Sequence, residues 1–360
     1  MTLRRRQTLY LGMGVLSAIV SGCTDVNTQA SDPLPDTKQT PTSQQPVTLK
    51  GAGASFPALL YQRWAIEFSK IYKNVKVTYQ SVGSGAGVKQ FLGEVVDFGA
   101  SDSPLTDGEI AKVKRGVLLL PVTGGSVVVA YNLPDLPNLR LSRKTYVDIF
   151  AGKITNWNNS ALQQDNPNLS LPNLPIQVVY RSDSSVTTDT FTRHLSAISG
   201  EWQTRFGAGK TVKWQTGIAA NGNEGVTARV QQTTGAIGYV EYGFAKQNNL
   251  AIAELQNRAG QFVSANPTTQ TNGLARIPLD EQLRGSAPDP VGADVYPIVT
   301  YTWLLVYRQY ARPEQVEGMQ AFLTWALTTG QKFSAEMGYV PLPTPIVERL
   351  SLRIAQIGLA

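Results

Sequence analysis
Few residues in this 360-residue chain could carry covalent or metal chemistry: it has one Cys, Cys23, and one His, His194. A Cys/His zinc site takes three or four ligands, so no metal site of that kind is expected. A single Cys closes no intramolecular disulfide, and a nucleophile–His triad could draw only on His194 as its base. His194 follows Arg193 in a short helical stretch, where a solvated or capping role is expected. A different chemistry is written three times. Ala54-Ser55-Phe56, Gly83-Ser84-Gly85-Ala86 and Ser184-Ser185-Val186-Thr187 each follow a strand-like run and precede a helix start. The first amides of a helix have no internal acceptor and lie at the positive end of its dipole, so such junctions receive anions. Each alone reads as ordinary capping. Together, with Arg181 beside one and Asp102 after another, they ask for more than capping.

Two further motifs fail on spacing. Gly207-Ala208-Gly209-Lys210-Thr211 looks like the end of a P-loop, but Thr204 stands where the first Gly belongs, and Val212-Lys213-Trp214 reads as strand, not helix. Gly83-Ser84-Gly85 begins like a dinucleotide fingerprint, yet Val88 holds the third Gly position. Both read as chance.

The formal charge is +6, from 32 Lys+Arg against 26 Asp+Glu. Part of that excess is an address. Arg4, Arg5 and Arg6 precede an apolar run from Leu9 to Val20, which ends in Val20-Ser21-Gly22-Cys23. A basic start, about a dozen apolar residues and small residues make an export signal too short to span a bilayer. The ending resembles the bacterial lipobox, which would make residues 1–22 a lipoprotein signal and Cys23 the lipidated first residue of the mature chain; the other reading is an ordinary signal peptide with a chance Cys. Beyond residue 22 the balance is 29 against 26, with no block of five like charges, so no nucleic-acid partner is expected. Residues 24–48, rich in Thr, Gln, Ser, Asp and Pro, read as a flexible tether. The expected location is periplasmic or cell-surface, held to a bacterial membrane by lipid.

The elements that must position the three junctions alternate. Leu49-Lys50 run into Gly51–Pro57, then an amphipathic stretch covers Ala58 to Tyr72. Val75–Tyr79 is strand-like, Ser81–Gly87 a turn, and Val88–Leu92 helical. Asp97–Asp102 reads as a short strand leading into a loop, Ile176–Tyr180 as a buried strand, and Thr188–Leu195 as a helix. This rhythm predicts an α/β fold with largely parallel sheets.

Four segments match one family in order and spacing: Gly51–Ala58, Ser84 in its Gly-rich turn, Val96–Asp102, and Arg181-Ser182-Asp183. Gly235–Tyr242, Ala245–Leu250 and Lys213-Trp214 agree as well. From Leu49 onward the chain resembles the phosphate-binding protein of the bacterial ABC-type phosphate importer. The resemblance implies a two-lobe periplasmic-binding-protein clamshell, type II-like, with two hinge crossovers near Val127–Tyr131 and Val295–Thr300. Lobe 1 would take residues 49–127 plus 299–360, and lobe 2 residues 128–298. Phosphate would be buried between them by hinge closure. The implied partners are inorganic phosphate and the membrane subunits of an ABC-type permease. No cofactor is implied, and the chain is expected to be a monomer.

By resemblance, Ser55, Phe56, Ser84, Asp102, Arg181, Ser185, Val186 and Thr187 would bind phosphate, with Asp183 behind Arg181. Serine and threonine hydroxyls and first-turn amides supply donors. The planar fork of Arg181 suits two oxygens of one anion, and Asp183 would orient it. Asp102 is the selective residue, because a carboxylate tolerates an oxyanion only if the anion brings a proton. Phosphate does so near neutral pH and sulfate does not. The other reading of Asp102 is a cap on the helix after Ser103-Pro104. The family commonly has glycine where this chain has Ser184 and Val186, which puts a strain on the loop if either position needs a positive φ. Binding without catalysis is expected, since no base neighbours Ser55 or Ser185 for phosphatase chemistry. The alternatives are a receptor for another tetrahedral oxyanion and a phosphate sensor or scavenger.

Overall fold
The structure is a computed structural model that describes residues 45–360, so the export signal, Cys23 and most of the tether lie outside the described residues. The first strand, β1 (Val47–Gly53), begins two residues before the expected Leu49. It runs through α1 (Ala58–Ile71) to β2 (Val75–Ser81), then through α2 (Ser84–Leu92) to β3 (Phe98–Ser101). Leu60, Tyr61, Trp64 and Phe68 face α1 inward, while Arg63, Glu67 and Lys70 pair on its outer side. This is the 3.6-residue stripe that makes an amphipathic segment a helix. The Ser81–Gly87 turn is shorter than expected, because α2 already starts at Ser84.

The chain continues through α3 (Asp107–Ile110), β4 (Val117–Tyr131), β5 (Arg140–Leu141), α4 (Arg143–Phe150), α5 (Ser160–Asp165) and β6 (Gln177–Arg181). After these come α6 (Val186–Ile198), α7 (Gly200–Arg205), β7 (Ile218–Ala220), α8 (Gly222–Gln232), β8 (Ala236–Glu241) and α9 (Tyr242–Gln247). One curled sheet runs in the order β2, β1, β3, the late strand Val299–Tyr307, β4, β8, β6, β7. Its two ends are parallel, as the sequence predicts. Its middle is antiparallel, where β3, Val299–Tyr307, β4 and β8 meet in turn. Val212–Trp214 is a loop, not the expected strand.

Every residue of β4 is buried. Its first part, to Ser126, pairs with Val299–Tyr307, and Val127–Tyr131 pairs with β8 instead. The ladder slips between Thr302 and Trp303, opposite Pro121. Proline offers no N–H, and a bulge is where a buried strand can carry one. A later segment, residues 280–289, ties a middle strand of the sheet to helices from distant parts of the chain. Leu283 O accepts from Trp303 Nε1 at 2.9 Å, and the carbonyls of Asp280 and Glu281 accept from Arg349 and Arg353. A few residues on, Asp289 takes both Nη atoms of Arg143.

His194 holds the same segment and is neither solvated nor a cap. It is fully buried, donates from Nδ1 to Pro288 O at 2.7 Å and accepts at Nε2 from the Tyr146 hydroxyl at 2.8 Å. Burial pushes its pKa down to about 4, so it stays neutral.

The α2 helix packs directly against the β1 backbone at Gly87. A Cβ at Gly87 would lie 2.2 Å from Gly53 Cα and 2.9 Å from Ala52 O, both backbone atoms that cannot yield cheaply. Gly87→Ala raises intrinsic helix propensity, yet we expect it to destabilise the chain by about 2–3 kcal/mol. Urea unfolding checks this; a variant as stable as the parent would show that the helix is free to shift.

Candidate functional site
The three parallel strands at one end of the sheet put their carboxyl ends side by side. Ser55 follows β1, Ser84 follows β2, and Asp102 follows β3. At the other end, β6 finishes on Arg181 and leads to Ser185–Thr187 at the start of α6. There β7 leads to Gly222 and Asn223 at the start of α8. Open α/β sheets place ligands at such carboxyl ends. Here the two sets face each other. Gly85 N donates to Ser184 O at 3.0 Å, Ser81 Oγ to Glu224 Oε1 at 2.8 Å, and Asn223 Nδ2 to Ser55 Oγ at 2.9 Å.

Arg181 is the buried cation of the site, its side chain 1% exposed. Nε and Nη2 donate to Asp183 at 2.7 and 2.5 Å, and Nη1 donates to Thr187 Oγ1 at 3.2 Å. A guanidinium has five N–H bonds, so two on the Nη atoms remain for another acceptor. Burial alone would raise the Asp183 carboxyl. The Arg181 charge and hydrogen bonds, with the Gly222 amide, outweigh it and hold the group below its usual range. The contact is tight: a Cβ at Gly83, whose φ is +84°, would lie 2.4 Å from Asp183 Oδ2.

Asp102 is 3% exposed. Its Oδ2 accepts from Ser84 Oγ at a long 3.4 Å, and its Oδ1 is buried without a hydrogen-bond partner among the described residues. Burial raises its pKa to about 7 against the pull of the Thr302 hydroxyl, the Arg181 charge, Ser84 and the Lys210 charge. Asp102 does not cap the following helix. Thr106 does, in a reciprocal capping box with Glu109.

The remaining expected residues lie in the same place. Ser55 Oγ also accepts the Asn223 amide at 3.1 Å, and Phe56 O accepts from the Tyr339 hydroxyl. Ser185 caps α6, its Oγ accepting from Thr188 N. Its own amide is taken by Lys210 O at 2.9 Å, so it is not the ligand donor that the sequence suggested. That leaves the amides of Val186 and Thr187 as the first-turn donors. Neither Ser184 nor Val186 has a positive φ, so the two replacements of glycine bring no left-handed strain.

Sequence reasoning missed Asn223, which ties Ser55 to Thr187 and accepts the Glu241 amide at 3.0 Å. The signal was there, since Asn221-Gly222-Asn223 repeats the pattern of a strand, small polar residues and a helix start. Glu241 was missed as well. It caps α9 through the amides of Gly243 and Phe244, and burial pushes its pKa up to about 8.

The PBP superfamily domain matches residues 38–329. The chain is 40% identical over 307 residues to the phosphate-binding protein PstS of Haemophilus influenzae, covering 84% of this chain and 91% of that one. It is 35% identical to PstS of Methanocaldococcus jannaschii, covering 94% and 92%. Among solved structures it resembles PfluDING, a high affinity periplasmic phosphate-binding protein solved with phosphate, at a TM-score of 0.68 and 22% identity over 87% of this chain and all of that one. A phosphate-binding protein from Stenotrophomonas maltophilia gives a TM-score of 0.66 at 23% identity, covering 85% and 94%. These structural likenesses show the fold.

The raised carboxyl of Asp102 makes the ligand-free chain sensitive to pH. Its folded pKa of about 7 lies above the 3.8 of an ordinary aspartate. Its contribution is therefore fully present below about pH 4, declines as pH rises and is gone above about pH 7. Asp102→Asn cannot ionise, so its stability relative to the parent should climb between pH 4 and 7, by up to about 4 kcal/mol, and level off above. Calorimetric melting across pH 4–9 tests this; a pH-independent difference between the two chains would refute the buried-acid assignment.

Proposed function
The chain belongs to the PstS family of phosphate-binding proteins, within the PBP superfamily, and on that premise we propose that it captures inorganic phosphate between two lobes and delivers it to an ABC-type permease. One observation carries the reading. Beside the site's many donors, Asp102 holds a buried carboxylate oxygen that has no hydrogen-bond partner of ordinary geometry among the described residues, although the Thr302 hydroxyl acts on the carboxyl. A ligand that fits must accept many hydrogen bonds and donate one. Protonated phosphate does both, and sulfate lacks the proton.

In this reading the two remaining N–H bonds of Arg181 take two phosphate oxygens. The hydroxyls of Ser55, Ser84, Ser185 and Thr187 and the amides of Phe56, Ser84, Val186 and Thr187 surround the rest. No base lies against Ser55 or Ser185: the Ser55 hydroxyl accepts from Asn223 and the Ser185 hydroxyl from Thr188 N. That favours binding without bond-making over hydrolysis. We assign residues 49–127 and 299–360 to one lobe and 128–298 to the other, guided by the partner change in β4 at Ser126 and Val127. The 280–284 segment then reaches across to the first lobe. Cys23 is the proposed lipid site and residues 24–48 the tether. No helix among the described residues is long and apolar enough to cross a membrane, which suits a protein held by lipid.

Two measurements test this. Titration calorimetry should show phosphate binding, with sulfate at least about 100-fold weaker, and Arg181→Lys losing about 100-fold through its lost second contact. Equal affinity for the two anions would overturn the proton-donor reading. In cells, Cys23→Ser should move the chain from the membrane fraction to the soluble one; unchanged membrane association would remove the lipid anchor.

A further inference from the structure
Gly207–Thr211, whose spacing does not fit a P-loop, lies against the site. Lys210 O accepts the Ser185 amide at 2.9 Å, and Gly209 N donates to Thr192 Oγ1 at 3.2 Å. The loop is thus fastened to the first turns of α6. The Lys210 side chain lines a groove of about 570 Å³ that opens to solvent and has Asp102 and Val186 among its walls.

Two other cations line this groove, and both are neutralised. Arg193 Nε meets Asp189 at 2.7 Å, and Arg284 meets Asp107 at 2.6 Å and Asp280 at 3.1 Å. Lys210 has no hydrogen bond or ion pair to its ammonium among the described residues, although its charge acts on Asp102. The groove also carries the carboxylates of Asp102 and Glu109, while Asp189 is already paired with Arg193. Left alone, the first two acids would repel an approaching anion.

Resting on the phosphate-capture reading, we propose that Lys210 is the electrostatic guide of this site, an uncompensated cation that draws the anion along the groove towards Asp102. Its side chain acts on approach, while its backbone carbonyl holds Ser185 and survives substitution. A guide differs from a binding contact in a measurable way. One charge within about 8 Å of the path alters the local concentration of a doubly charged anion about three- to five-fold at low ionic strength, and salt erases the effect.

The test uses radiolabelled inorganic phosphate with the full chain. Equilibrium dialysis gives Kd, a chase with unlabelled phosphate gives the dissociation rate, and their ratio gives the association rate. Lys210→Gln should slow association about three- to five-fold at 10 mM salt, with dissociation unchanged and the gap closed at 0.5 M salt. Lys210→Arg should restore the rate. Lys213→Gln, which removes an exposed charge from the same loop outside the groove, should match the parent. Unchanged association in Lys210→Gln, or a loss carried by dissociation and persisting in high salt, overturns the guide. If the parent chain itself binds no phosphate, the phosphate-capture reading fails and the guide falls with it, an outcome distinct from either of those.

Discussion

The buried pair of Arg181 and Asp183 is the constraint around which the two ends of the sheet are arranged. A guanidinium with a side chain 1% exposed is intolerable without compensation, and Asp183 supplies it through two short hydrogen bonds. The pair then dictates its neighbours. Gly222 must donate its amide to Asp183 Oδ1, the Tyr239 hydroxyl oxygen accepts from the Arg181 amide, and Thr187 Oγ1 accepts a hydrogen bond from Arg181 Nη1. From the opposite side of the site, Gly83 has to lack a side chain for β2 and α2 to approach Asp183 at all. The pair fixes Arg181 in one orientation and also sets which residues the facing half can use.

Against that fixed cation the site has one anion of its own that is left partly unsatisfied. Asp102 and Arg181 are not a salt bridge. Their charges interact, but desolvation dominates at Asp102 and lifts its carboxyl to about 7. Asp183 and Asp102 are thus two carboxylates in one site with opposite fates. The first is pulled low by Arg181 and the second is pushed high by burial. Glu241, pushed to about 8 at the point where β4 changes partners, repeats the second behaviour. It differs from Asp102 because both of its oxygens have amide donors, which gives it a structural task as the cap of α9.

Much of this was legible in the sequence, because strand–hydroxyl–helix junctions are local features with local physics. Ser55, Ser84 and Ser185 announce themselves by their neighbours, and α1 by its apolar stripe. What escaped depends on long-range pairing. Nothing local says that β4 and Val299–Tyr307 run antiparallel through the middle of an otherwise parallel sheet. Nor could the chain around His194 say that Tyr146 and Pro288, far away in sequence, would enclose it. Asn223 was overlooked because an Asn at a helix start has an ordinary reading as a cap, and only the folded chain shows it reaching Ser55 and Thr187. The place of the Gly207–Thr211 loop was illegible for the converse reason. Its spacing excluded one phosphate motif, but spacing says nothing about where a loop packs.

The net charge of +6 points to an anionic partner, yet the site scarcely uses it. In the proposed reading, selection comes from the match of donors and acceptors around buried side chains, not from bulk charge. The donors around Arg181 favour an anion, and the unpartnered Asp102 oxygen demands that the anion carry a proton. That demand is strict only while Asp102 stays buried, since in water an unpaired carboxylate oxygen would find a donor at no cost. Asp102 is buried in a structure whose two ends of the sheet meet at Gly85–Ser184 and Ser55–Asn223. In the proposed reading closure and discrimination are then one event: an anion without a proton leaves Asp102 buried and unsatisfied, which opposes the closed arrangement that would hold it.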